Sequence, residues 1–150
     1  MSFMGTYQNN VDPKGRVSIP VKYREALGER FYVTKGFDRC IDIHTVASWE
    51  KLAGKLHKLS VTKRDMRDFV RFIFGNATEV ELDKQGRILL PSLLRETVGI
   101  EKEVVVMGVG DKIEIWDKAT WEKHQQELSQ HIADISENVG AFDVDVDIDL

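Results

Sequence analysis

The stretch VDPKGRVSIP at residues 11–20 returns, little changed, as LDKQGRILLP at residues 82–91. Asp12 and Asp83, Gly15 and Gly86, Arg16 and Arg87, and Pro20 and Pro91 are each 71 positions apart. The match continues through Arg24-Glu25 against Arg95-Glu96 and Gly28 against Gly99. After one inserted residue it resumes with Gly36 against Gly108, CIDIH against KIEIW, and Trp49-Glu50-Lys51 against Trp121-Glu122-Lys123. Such a chain is built from two copies of one unit of roughly forty residues, and the unit is too short to bury a core alone.

Local chemistry gives each copy the same order of elements. In DPKG, Asp12 opens a type I turn, Pro13 presets its second position, and Gly15 supplies positive φ at the fourth. DKQG repeats the form without the proline, with Asp83 and Gly86 as the turn-stabilising pair. Apolar residues alternate with polar ones on both sides, so each turn is expected to join two short strands as a β-hairpin. Pro20 and Pro91 then suit the start of a short helix and Gly28 and Gly99 its stop. Two strands follow, RFYVTK and CIDIH in the first copy, EVVVMG and KIEIW in the second. A longer helix closes each copy, after Thr45 with Trp49, Leu52, Ala53, Leu56 and Leu59 in phase, and after Asp117 with Trp121, Leu128, Ile132 and Ile135. Between the copies, Met66, Phe69, Val70 and Ile73 form one stripe and Arg64, Arg67 and Arg71 another, which points to a helix at an interface between copies or subunits.

Charge bears on the partner. The net charge is −4, but six acids and no Lys or Arg lie between Asp134 and Leu150, and setting those six aside leaves +2 on the body. An acidic total therefore does not exclude nucleic acid. The one cysteine, Cys40, excludes an internal disulfide framework, and no long apolar run is present, so a cytoplasmic protein is expected.

A turn tip stands away from the core, so Lys14, Arg16, Lys84 and Arg87 can reach a partner. Arginine presents a planar fork of donors that fits a phosphate or the O6/N7 edge of guanine, and lysine adds point charge for phosphate. The plainer role is a brace, with each arginine pairing with Asp12 or Asp83 of its own turn. Repetition in phase, with cations on both tips, brings the two readings level.

The stretches VDPKGRVSIPVKYRE, LDKQGRILLPSLLRE and KIEIWDKATWEK resemble the MraZ family across residues 3 to 130. The resemblance implies two AbrB-like units, each carrying an Asp-x-x-x-Arg motif, here Asp12 with Arg16 and Asp83 with Arg87. It implies an α+β fold of two tandem pseudo-symmetric swapped-hairpin units around a small β-barrel-like core with peripheral helices. The expected divisions are unit 1 at 6–51, a linking helical segment at 52–76, unit 2 at 77–123, a C-terminal helix at 124–139 and an acidic tail at 140–150. The implied function is a bacterial transcriptional regulator of the division and cell-wall gene cluster. It would bind direct repeats of double-stranded promoter DNA as a closed ring of subunits, in the cytoplasm and at the nucleoid. The two tips differ, since Lys84 aligns with Pro13 and Gln85 with Lys14, so the first tip is expected to contribute more charge.

Other readings fare less well. An oligomeric scaffold that meets an acidic protein partner through the same arginines is the main rival. An antitoxin-like regulator would add a toxin-binding segment, whereas this chain spends that length on a second copy. No nucleophile elbow or Gly-rich phosphate loop frames an enzyme site, and no cofactor is expected. Cys40 and His44 share a strand face but lack a second pair of ligands for zinc. His124 and His131, seven apart beside Leu128, suit partly buried packing. DVDVDIDL opens like a calcium loop but has Ile148 where the sixth-position glycine belongs. The acidic tail is expected to be solvated, or to compete with DNA for the basic tips.

Overall fold

Each copy lays out its elements in the order the sequence dictates. In the computed structural model, which describes residues 2–142, the first copy contributes β1 (Phe3–Asn10), β2 (Arg16–Ser18), α1 (Val21–Leu27), β3 (Arg30–Lys35), β4 (Cys40–His44) and α2 (Val46–Leu56). α3 (Arg64–Gly75) lies between the copies in sequence. The second copy contributes β5 (Thr78–Glu81), β6 (Arg87–Leu89), α4 (Ser92–Val98), β7 (Glu103–Gly110), β8 (Lys112–Asp117) and α5 (Lys118–Phe142). The chain divides into two compact units, Met1–Lys118 and Ala119–Leu150. α5 runs through the segment expected as a terminal helix to Phe142, and residues 143–150 of the acidic tail lie outside the described residues.

Pairing runs between copies more than within them. The turn at Asp12 does not open a hairpin ladder between β1 and β2. Instead β1 pairs antiparallel with β7 and, equivalently, β5 with β3. β2 pairs with β6, placing Arg16 opposite Leu89, Val17 opposite Ile88 and Ser18 opposite Arg87. Because Val17 and Ile88 are themselves 71 positions apart, a pseudo-twofold axis passes between them. β4 pairs with β8 so that Asp42 faces Glu114, a second equivalent pair, and the same axis runs through it.

The expected barrel is corrected by the strand order. One sheet has six strands in the order β1-β7-β8-β4-β3-β5, and β2 and β6 make a separate sheet of two. β1 and β5 are edges, so the large sheet is open. The strands that could have bridged the edges have only three residues each and are used on one another. A two-stranded ribbon that short is unstable alone. It is held because Val17 and Ile88 turn inward and are fully buried in one core with Ile19, Leu90, Ile41 and Ile113, worth about 2 kcal/mol apiece.

Helices fasten the margins. The Tyr23 hydroxyl of α1 shares its one hydrogen between the Met4 and Gly5 carbonyls, 2.8 and 2.6 Å away, and its ring packs edge-on against Phe3 and Tyr7. Thr45 caps α2 by accepting from the Ser48 amide at 3.0 Å. α3 packs within the chain on the first copy: Ile73 is buried with Trp49 and Leu56, and the Ile73 carbonyl accepts from the Thr34 hydroxyl at 2.9 Å. Arg64 and Arg71 of α3 face outward, and Phe69 stacks on the exposed Phe37.

The axis carries one electrostatic problem. Asp42 and Glu114 stand directly opposite, and like charges so placed repel. Lys112 resolves it, with Nζ 2.8 Å from Asp42 Oδ2 and 3.7 Å from Glu114 Oε2. Its counterpart in the first copy is Cys40, so duplication left room for a single cation. Burial works against the Lys112 ammonium, but the hydrogen bond and charge of Asp42, with Glu114, outweigh it and raise its pKa. Its contribution to stability is therefore complete below about pH 10 and is lost as pH rises through the raised value. Replacing Lys112 with Met should cost about 3 kcal/mol at neutral pH, read from urea unfolding midpoints. An unchanged midpoint would show that the two carboxylates do not need the cation.

Candidate nucleic-acid interface

The two turns are built alike, atom for atom. Asp12 Oδ1 accepts from the Lys14 and Arg16 amides at 3.0 and 2.8 Å, and the Gly15 amide closes the turn on the Asp12 carbonyl at 2.9 Å. Asp83 Oδ1 accepts from the Gln85 and Arg87 amides, both at 2.9 Å, and the Gly86 amide reaches the Asp83 carbonyl at 3.0 Å. Both glycines are left-handed, with φ of 87° and 74°. The Arg16 amide, followed by its guanidinium, holds the Asp12 carboxyl below its ordinary pKa. The Arg87 amide does the same for Asp83.

The aspartates also grip their arginines by one edge. Arg16 Nε donates to Asp12 Oδ2 at 2.7 Å and Arg87 Nε to Asp83 Oδ2 at 3.0 Å, while Arg87 Nη1 lies 3.8 Å from Asp12 Oδ2. Brace and reading head are therefore compatible. The carboxylate occupies Nε, and none of the hydrogen bonds among the described residues uses the Nη groups of either arginine. Because Val17 and Ile88 point inward, the alternation of the strands puts Arg16, Ser18, Arg87 and Leu89 together on the outer face of the ribbon. Lys14 and Lys84 are exposed on the turns beside it. All four cations named from the sequence thus fall at one end of the first unit, gathered by the β2–β6 pairing.

Two further arginines belong to this end. Arg24 of α1 donates Nε to the Ile19 carbonyl at 2.8 Å and lies against Gly86, the turn glycine of the other copy. Arg95 of α4 donates to the Leu90 carbonyl at 3.1 Å and lies against Gly15, whose missing Cβ would fall 2.7 Å from its Nη2. The Ile19 amide donates to the Gly86 carbonyl and the Leu90 amide to the Gly15 carbonyl, both at 2.9 Å. Each turn is thus clamped by the opposite copy. The signal in sequence was the phase match of Arg24 with Arg95; their reach across the axis was not readable there.

The matched repeat has a counterpart among known proteins. The family model described as MraZ protein, antitoxin-like, matches residues 2–72 and again residues 73–141. The chain belongs to the MraZ family. Proteins called transcriptional regulator MraZ from Acetivibrio thermocellus and Moorella thermoacetica are each 46% identical over 142 residues, covering 95% of this chain and 99% of the relative. That of Desulforamulus reducens is 46% identical over 137 residues, covering 91% of this chain and 96% of its own. Each of the two matched segments contains one of the turns, two of the four arginines and one of the short helices just described.

Other residues singled out by sequence have other neighbours. His44 is buried, its Nδ1 lies 3.1 Å from the Ser48 hydroxyl, and burial lowers its pKa. Cys40 instead sits with Asp42 and Glu114, the three ligand atoms lying within 4.8 Å of one another. Lys112 already supplies the positive charge there, and burial raises the Cys40 thiol far above its usual range, so the cluster is a poor metal centre. His124 and His131 are both exposed on α5, contrary to the partly buried packing expected of them, and the His124 ring lies 5.6 Å from that of Trp121.

Two outcomes test this geometry. Gly86→Ala forces an L side chain into a left-handed turn and into the Arg24 guanidinium, and should lower stability by about 2 kcal/mol in thermal unfolding. Acid should loosen the turns as well. With both folded pKa values depressed, the carboxylates' contribution is full above about pH 4 and disappears as pH falls through the lower folded values. An Asp12→Asn, Asp83→Asn double variant should therefore show a flatter fall in stability on acidification than the wild type.

Proposed function

We propose that this chain is a DNA-binding transcriptional regulator that reads double-stranded DNA in the major groove with the β2–β6 ribbon. One observation carries the reading: two arginines stand diagonally on the outer face of a ribbon, each held through Nε by a turn aspartate, with no hydrogen bond among the described residues on their Nη groups and only a 3.8 Å approach of Arg87 Nη1 to Asp12. A two-stranded ribbon fits the major groove, and a pre-oriented guanidinium loses little entropy on reaching guanine or phosphate. Lys14 and Lys84, one exposed lysine on each turn, supply phosphate contacts. The names of the MraZ relatives agree with this role.

The finer reading follows the same line. The strands exchanged between copies correspond to AbrB-like swapped hairpins, and the operator is a set of promoter direct repeats in the division and cell-wall gene cluster. A closed ring of subunits adds weak single contacts into a strong one through effective concentration. The protein works in the cytoplasm at the nucleoid.

Titration of fluorescent duplexes across a salt series checks the proposal. Wild type should prefer a duplex of the direct repeats over its scramble. Arg16→Ala should lose about 1–3 kcal/mol and much of that preference if the arginine reads a base, or flatten the salt slope by about 0.9 for each phosphate left unneutralised if it holds the DNA backbone. Equal and weak binding of both duplexes by the wild type would sink the regulator reading and favour a scaffold that meets an acidic protein.

A further inference from the structure

The outer face of the ribbon is symmetric in its arginines and asymmetric in everything else. The twofold through Val17 and Ile88 relates Arg16 to Arg87 and Ser18 to Leu89, residues that share a position in the repeat but not a chemistry. Leu89 is 58% exposed, although its neighbours Ile88 and Leu90 are buried to 1%. The strand alternation, and not a packing fault, puts it outside. Antiparallel register then sets it directly opposite Arg16, with side chains about 5 Å apart, while Ser18 stands opposite Arg87.

We infer that Leu89 and Ser18 are specificity-determining residues: Leu89 reads the C5 methyl of a thymine beside the base met by Arg16, and Ser18 leaves a polar contact beside Arg87, so that the ribbon reads a non-palindromic element in one direction. The inference rests on the DNA-binding role proposed above and assigns two residues to it that the arginine motif does not include.

The chemistry is specific. In the major groove the thymine methyl is the one apolar group on a base edge, and an aliphatic side chain is its complement. A serine at the same place offers a hydroxyl and too little surface to cover a methyl. Diagonal positions across a ribbon are about 7–8 Å apart, close to two base steps of roughly 3.4 Å, so Arg16 and Arg87 can address separate bases while each opposite residue addresses a neighbour. With serine at both positions the face would repeat itself under the twofold and fit either orientation of a duplex equally. Leu89 breaks that degeneracy at the cost of exposing an aliphatic side chain to water in the free protein.

The test removes only the methyl. A duplex is selected from a random pool of about 20 base pairs by the full-length wild-type chain, and each thymine in the selected sequence is replaced in turn by deoxyuridine. The wild type should lose about fourfold in affinity at one position, the worth of one buried methyl. Leu89→Ser should bind thymine and deoxyuridine duplexes alike at that position. Ser18→Leu should acquire a methyl dependence at the position related by the ribbon's twofold. Unfolding midpoints of both variants check that each is folded, as expected for changes on an exposed face. A thymine preference retained in Leu89→Ser, or a sequence-selective wild type that no single deoxyuridine weakens, overturns the assignment while leaving the DNA-binding role intact. Failure of the wild type to enrich any sequence overturns both.

Discussion

Backbone hydrogen bonds between the two copies are the constraint on which the rest of this structure depends. The Ile19 and Leu90 amides donate to the turn carbonyls of Gly86 and Gly15 in the opposite copy, and β1, β2, β5 and β6 all find their ladder partners across the repeat. A single copy would leave those donors and acceptors to water and its strand faces bare. Duplication within one chain supplies the partner at fixed distance, and Val17, Ile19, Ile88 and Leu90 then close over one shared core. The ribbon that carries both arginines exists because of that exchange.

The same exchange also holds the turns that carry the arginines. Each turn is held from three sides: by its own aspartate, by the opposite strand's amide, and by Arg24 or Arg95 lying over its glycine. A side chain with as many rotatable bonds as arginine is otherwise costly to order. Here much of that ordering is complete before any partner arrives, since Nε is already engaged. Gly15 and Gly86 are needed twice over, for positive φ and for the close approach of a guanidinium.

Divergence between the copies sits where the axis would otherwise force equivalent residues together. Asp42 and Glu114 face one another there, and Lys112 against Cys40 is the substitution that balances them with one cation where two would crowd. Ser18 against Leu89 is the outward counterpart. A perfect repeat would suffer the first conflict and would set the same residue opposite each arginine.

Much was legible before any fold was known. Asp12, Gly15, Asp83 and Gly86 announce two turns because backbone chemistry at a tight turn is local, and Thr45, Gly28 and Gly99 mark helix ends for the same reason. The place of Arg16 and Arg87 beside those turns was equally local, as was the tandem organisation of the chain. What the sequence did not contain was the choice of strand partners. Alternation describes which face a residue takes, not which strand it faces, so a local hairpin and a pairing across the repeat read alike in residues 3–19, and so do an open sheet and a barrel. Register alone brought Arg16 opposite Leu89, laid Arg24 on Gly86 and put Asp42 against Glu114. Local geometry follows from neighbours in sequence; the interface was decided by pairings between residues roughly seventy positions apart, whose energies come from burying the two copies against each other.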